Sequence, residues 1–169
     1  NNRMQTVRKG KEMGLIIKEE SSFQLFWDEV LIPNLVAKHQ VKPVHSVEEI
    51  TKLNNLFPKN IRHFNVYEKE QIVAGTTVFL TDNVVHSQYI SGKKDKNHLG
   101  SLDFLYHHLI TEIFKDKEYF DFGISNENHG RNINEGLLFW KESFGARSIT
   151  QDFYEVNIEN HNLLDNVLL

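Results

Sequence analysis

The sequence predicts one mixed α/β domain, a mostly antiparallel sheet with helices on both faces. Three observations predict it. Residues 61–90 hold three strand-like runs in succession, Ile61–Glu68, Gln71–Leu80 and Val84–Ile90, with turn-prone pairs at Lys69–Glu70 and Asp82–Asn83 between them. Segments on either side carry apolar residues at helical spacing. Late in the chain a short apolar run, Tyr119–Gly123, follows a helix, which is how a chain crosses to a parallel neighbour. The predicted order is β-α-α-β-β-β-α-β-α-β.

Each element has its own signal. Residues 1–12 are polar and basic (Arg3, Arg8, Lys9, Lys11) and are expected to form a linker or arm. Met13–Lys18 is an apolar run flanked by charge, a first strand. Ser21 and Gln24 have the S-x-x-Q spacing of a capping box ahead of Phe23, Phe26, Trp27, Val30 and Leu31, whose spacing is that of a helix face. Pro33 suits a new helical turn with Leu35 and Val36 buried. Ser46 and Glu49 repeat the capping signature before Ile50, Leu53 and Leu56, and Pro58 ends that helix. Gln71–Leu80 is rich in β-branched residues, whereas Ile61–Glu68 alternates weakly. Residues 91–100 are expected to be a polar loop. Leu102, Leu105, Leu109 and Ile113 mark the third helix, and Asn134–Ser143 a fourth with Gly145 as its C-cap. Ser148–Ile158 is expected to close the sheet. The domain so drawn covers residues 13–157, with 158–169 as a C-terminal tail.

Composition narrows the function. The chain has 169 residues, 40% hydrophobic and 25% charged, ordinary usage for a single globular domain. The formal net charge is −4, which lacks the field of a general nucleic-acid binder, so no DNA partner is expected. There is no cysteine, which excludes disulfides, cysteine zinc sites and a cysteine nucleophile and makes a reducing compartment, the cytoplasm, the default. No apolar run reaches the ~18 residues of a membrane span. The opening NNRMQTVRKGKEMG does not start with Met and reads like a cut into a longer protein, with room for an N-terminal second domain.

The most informative stretch is 84–109. A strand passes through a Gly-bearing polar loop into a helix start at Gly100-Ser101, with Lys93, Lys94 and Lys96 just before it. Backbone N–H groups and the helix dipole at such a start hold phosphate; an ordinary connecting loop with a solvated charge run carries the same residues. The element order together with this loop resembles the GNAT (Gcn5-related N-acetyltransferase) superfamily. Its acyl-CoA loop, Q/R-x-x-G-x-G/A, falls here on Asn97-His98-Leu99-Gly100-Ser101-Leu102, which keeps the first Gly alone. A second match is Asn134 leading into the helix that ends FWKESFGA. That ending, with YFDFGIS, looks most like the FemAB-like and polysaccharide-associated acetyltransferase branch. The similarity spans residues 13–157.

The resemblance implies acyl transfer from acetyl-CoA or another acyl-CoA to an amine. The thioester would lie in a gap beside the fourth strand, whose Ser87, Gln88, Tyr89 and Ile90 backbone would polarise the carbonyl. Asn97, His98, Leu99, Gly100, Ser101 and Asn134 complete the expected cofactor contacts. The family's tyrosine acid is replaced by Trp140, leaving Tyr154 or Tyr89 as substitutes, or a CoA thiolate that leaves without an acid.

Candidate residues carry two readings each. His86, mid-strand, is a base at the gap or a hydrogen-bonded surface histidine. Glu127, in the loop after the fifth strand, is a base or a solvated loop acid. Asn126 and Asn128 orient substrate or make turns, as does Asn132. His39 and His45 flank a Pro-bearing loop between the first two helices and are placed in the acceptor site, since no third ligand argues for metal. Asp121 reads as structural, and Phe23, Phe26 and Trp27 as core. His107 and His108 lie about 100° apart on a helix, too far round to share a metal. Three function classes follow: an acyl-CoA N-acyltransferase acting on a small-molecule or peptide amine, with envelope or polysaccharide work implied by the FemAB likeness; a FemAB-type transferase using aminoacyl-tRNA; and a non-catalytic half of a two-domain protein.

Overall fold

The computed structural model describes residues 2–152, 154–155 and 157–164. Helix α1 (Asn2–Glu12) precedes strand β1 (Leu15–Glu19). Helix α2 (24–39) is α-helical over Gln24–Phe26, makes one wide π turn over Trp27–Leu31, and is α-helical again over Ile32–His39. Helix α3 (Val47–Leu56) leads to the meander β2 (Ile61–Glu68), β3 (Gln71–Leu80) and β4 (Val84–Gly92). A 3-10 turn (Lys94–Leu99) enters helix α4 (101–113), which ends in a second π turn, Leu109–Ile113. Strand β5 (Tyr119–Asp121), a small hairpin of β6 (Asn126–Glu127) and β7 (Asn132–Ile133), and helix α5 (Glu135–Glu142) follow.

The sheet order is β1-β2-β3-β4-β5, antiparallel through β4, with β5 parallel to β4. Its faces bury separate cores. Phe64, Val66, Val78, Val85, Leu105 and Leu109 pack on the α4 side, and Phe23, Phe26, Trp27, Ile50, Tyr67 and Tyr89 on the α2–α3 side. Burying each such side chain contributes roughly 1.5–3 kcal/mol against leaving it in water.

The register of β4 shifts between Thr77↔Tyr89 and Val78↔Ser87, so Gln88 is an extra residue, a β-bulge. The bulge reverses the alternation of β4. Val85 and Ser87 face α4, while Tyr89 two residues later faces α2.

The expected meander, the Ser46–Glu49 capping box and the α/β fold class are present; Ser46 Oγ accepts from the Glu49 N–H, and the Glu49 carboxylate accepts from the Ser46 N–H. Five expectations are corrected. Residues 2–12 form a helix instead of an arm: Arg, Lys, Gln and Met favour helix, and Val7 and Gly10 face inward against the domain. Ser21 does not cap α2, which starts after Phe23 without a side-chain cap, and Gln24 donates to Asp28 instead. Val36 is exposed, because its helix turns that position away from the sheet. Residues 91–100 are not simply a polar loop, since Leu99 is fully buried. The described residues of 148–158 make no strand; Ile149 and Tyr154 there have no sheet neighbour and are exposed.

Candidate active site

Strand β4 pairs with β5 over Val84, Val85 and His86 alone, opposite Tyr119, Phe120 and Asp121. Past His86, β4 runs on to Gly92 while the other chain turns away through Gly123, held at φ 70°. A Cβ on Gly123 would sit 3.8 Å from His86 Cε1 and 3.9 Å from the Ser87 carbonyl. The two parallel strands therefore splay at Ser87–Ile90, with the Gln88 bulge inside the splay. Backbone polar groups at such an opening are available to a ligand that extends the sheet edge.

His86 stands where the splay begins. Its Nδ1 lies 2.7 Å from Asp121 Oδ2, and the other Asp121 oxygen accepts from the Gly123 N–H at 2.7 Å. Burial pushes the Asp121 carboxyl up, but the bonds from His86 and Gly123, with the charges of His86 and Lys141, more than offset this and hold it below the usual carboxylate range. Lys141, buried, donates to the Gly123 and Ile124 carbonyls and fixes the turn that opens the gap. Burial lowers its pKa, with Asp121 opposing.

The α2–α3 side of the splay carries a second pair. Tyr89 Oη is 2.6 Å from His45 Nδ1 and also accepts from the His45 N–H at 3.2 Å, while Trp27 Nε1 donates to the His45 carbonyl. Burial raises the Tyr89 pKa, so the phenol stays protonated at neutral pH. On the α4 side, Ser87 and Thr76 hydroxyls meet the fully buried Tyr106, whose phenol is pushed up to about 12 by burial.

The remaining expected residues divide by place. Ile90 packs on the α4 side, opposite Tyr89. Asn134 caps α5, accepting from the Leu137 N–H and donating to Glu127 at 2.7 Å, so Glu127 and Asn134 are brought together on an exposed surface. Asn126 and Asn128 are exposed in the β6–β7 hairpin, where Asn128 adopts a left-handed turn conformation. His39 is exposed at the C-terminal end of α2, whereas His45 is held at Tyr89, so the two do not share one arrangement. Tyr154 is 86% exposed, its hydroxyl donating to Asp152. Asn97 is exposed on the 3-10 turn that also carries the backbone of His98.

Leu99, Gly100 and Ser101 are buried, because α1 lies across the start of α4. A Cβ on Gly100 would meet Thr6 Cγ2 at 2.2 Å. Arg3 pairs with Asp103 in the first turn of α4 and donates to Ser143 beyond α5. The β4 edge is thus unpaired with β5 past His86, while the start of α4, where the sequence placed cofactor contacts, lies under α1. Sequence reasoning missed Tyr106, Asp103, Lys141 and α1; each acts through a partner distant in the chain, which no local spacing reports.

Against solved structures the chain aligns over most of its length. An aminoglycoside acetyltransferase from an uncultured soil metagenomic sample, in complex with trehalose, superposes with a TM-score of 0.56 at 16% identity over 85% of this chain and 96% of that one. The fold is that of the GNAT acetyltransferases. A predicted acetyltransferase from Clostridium acetobutylicum with acetyl-CoA shares that GNAT fold at TM-score 0.57 and 14% identity, covering 87% of this chain and 98% of that one. The C-terminal domain of a proposed lysylphosphatidylglycerol synthetase from Agrobacterium fabrum matches at TM-score 0.56 and 16% identity, over 85% of this chain and 46% of that one. No family model matches the chain, and no curated protein does. Among the described residues no helix is long and apolar enough to cross a membrane.

Proposed function

We propose that the protein transfers an acyl group, acetyl in the first instance, from CoA to a primary amine. The observation that carries this reading is the β4–β5 splay with the Gln88 bulge inside it and His86 at its mouth. CoA would supply the activated thioester. The β4 backbone at Ser87–Ile90 would face the carbonyl oxygen, where N–H donors stabilise the charge that develops in the tetrahedral transition state. Gly100 and Ser101 at the start of α4 would hold the phosphates.

His86 is the assigned proton acceptor. With Nδ1–H donated to Asp121, the Nε2 lone pair is left to take the amine proton, and Asp121 steadies the imidazolium that forms. The amine nitrogen bonds to the acyl carbon, the carbon–sulfur bond breaks, and the CoA thiolate leaves. His45 and Tyr89 line the acceptor side. The acceptor class is an amine on a sugar, an amino acid or a peptide; the FemAB-like FWKESFGA ending supports an envelope or polysaccharide acceptor.

A thermal shift with acetyl-CoA and a thiol-release assay over a panel of amines test this. At about 100 times its Kd a ligand adds roughly 2.7 kcal/mol to the folded state, an easily read shift. His86→Ala is expected to keep the shift and lose turnover. No saturable shift at millimolar acetyl-CoA would overturn the donor. A second reading, a transferase domain fed by aminoacyl-tRNA, is favoured by the covered phosphate end. It is distinguished by salt-sensitive tRNA binding without a CoA shift.

A further inference from the structure

We propose that helix α1 is an intramolecular plug: it occupies the phosphate end of the donor site, and acyl-CoA binds when α1 undocks. This rests on the acyl-CoA reading above. Thr6, Arg3 and Gly10 hold the plug in place. Thr6 fills the space directly over Gly100, the one residue of the loop whose missing Cβ and left-handed φ of 67° would let a phosphate approach the backbone. Arg3 pairs with Asp103 and donates to Ser143, and its guanidinium lies 5.2 Å over the Phe144 ring. Gly10 lets α1 approach α4 so closely that a Cβ there would lie 3.0 Å from Phe104 Cβ.

Helix α1 is nevertheless removable. Its buried apolar content is Val7; Met4 is exposed, and so are Arg8, Lys9 and Lys11. An 11-residue helix is marginal by itself, so α1 is helical because it is docked. Gly14, at φ 70° with open space where its Cβ would be, provides a pivot between α1 and β1. A segment with little buried apolar surface and a glycine pivot lies at the low-stability end of a fold, where local opening occurs. The sheet core does not include α1 side chains and is left intact when it leaves.

The apparent affinity of a ligand falls by the fraction of chains that are open. Two full-length variants move that fraction in opposite directions. Arg3→Ala removes the ion pair and the cation–π contact and opens α1. Gly10→Cys with Phe104→Cys allows a disulfide that locks α1 down; the natural chain has no cysteine, so the bond is unambiguous, and the 3.0 Å separation needs a few tenths of an ångström to reach disulfide range. The probe is acetyl-CoA, measured by calorimetry. Arg3→Ala is expected to bind at least about fivefold more tightly than the unchanged chain, and the oxidised double variant at least about fivefold more weakly than the same protein reduced. Affinities equal within about twofold in all four proteins would overturn the plug and leave the donor reading standing. Absence of binding in both Arg3→Ala and the reduced double variant would overturn the plug and the donor reading together.

Discussion

His63 gives the most quantitative prediction. It sits on β2 facing α2, 1% exposed, with its ring 5.1 Å from Phe23 and 5.2 Å from Phe26. Nδ1 is 2.9 Å from Thr77 Oγ1, and Nε2 is buried with no hydrogen-bond partner among the described residues. Burial among these rings lowers its pKa from 6.5 to about 4, although Glu20 and Asn65 pull the other way. In the unfolded chain the imidazole takes a proton near 6.5, and in the folded chain it does so only near 4. Between those values the unfolded state holds one more proton, so stability falls with falling pH. The slope is about 1.4 kcal/mol per pH unit, and the total over that window is about 3 kcal/mol. Above pH 6.5 both states are neutral and the effect vanishes. The assay is urea unfolding from pH 7.5 to 4 for the natural chain and for His63→Gln. The variant loses the Thr77 bond and is less stable throughout, so the difference between the two slopes is the readout. It is expected to reach about 3 kcal/mol by pH 4. Parallel curves would refute the claim that His63 is buried uncharged.

Gly75→Ala places a Cβ 2.6 Å from Asn65 Oδ1 and 2.6 Å from Phe26 Cδ2, both in rigid surroundings, and is expected to cost about 2–3 kcal/mol in the same unfolding assay. Ser46→Ala removes the side-chain acceptor of the capping box and should lower stability by about 1 kcal/mol, with Ser46→Asn restoring most of it. Tyr106→Phe takes a buried hydroxyl from Ser87 and Thr76 and is expected to lower stability by about 1–2 kcal/mol while leaving the acetyl-CoA shift in place.

The legible parts of this protein are those specified locally. The β-branched run of β3 and the Ser46–Glu49 box lie within a few residues of what they determine, and both appear where the sequence puts them. His86 was legible too, because its strand sets its place, but Asp121 is 35 residues away and its pairing with His86 is a product of the parallel crossover. His45 and Tyr89 are 44 residues apart, and their bond depends on the Gln88 bulge turning Tyr89 toward α2. Helix α1 was hidden by its composition: one valine and one glycine facing inward leave an apolar signal too thin to separate from a solvated arm. The described residues of 148–158 show the opposite case. Ile149, Tyr154 and Ile158 supply strand-forming side chains, but no neighbouring strand pairs with them, and pairing is what makes a strand.

The extra residue at Gln88 makes β4 a strand with two phases. Odd-numbered residues before it and even-numbered ones after it point to the same layer, so Val85, Ser87 and Ile90 share the α4 side while Tyr89 and Ser91 face α2. Deleting one residue there would leave the strand's hydrogen-bonding length nearly unchanged. It would nevertheless carry everything downstream through the sheet, moving the tyrosine from the α2 layer into the α4 layer. In this protein, which core the later side chains of β4 enter is set by the parity of a residue count.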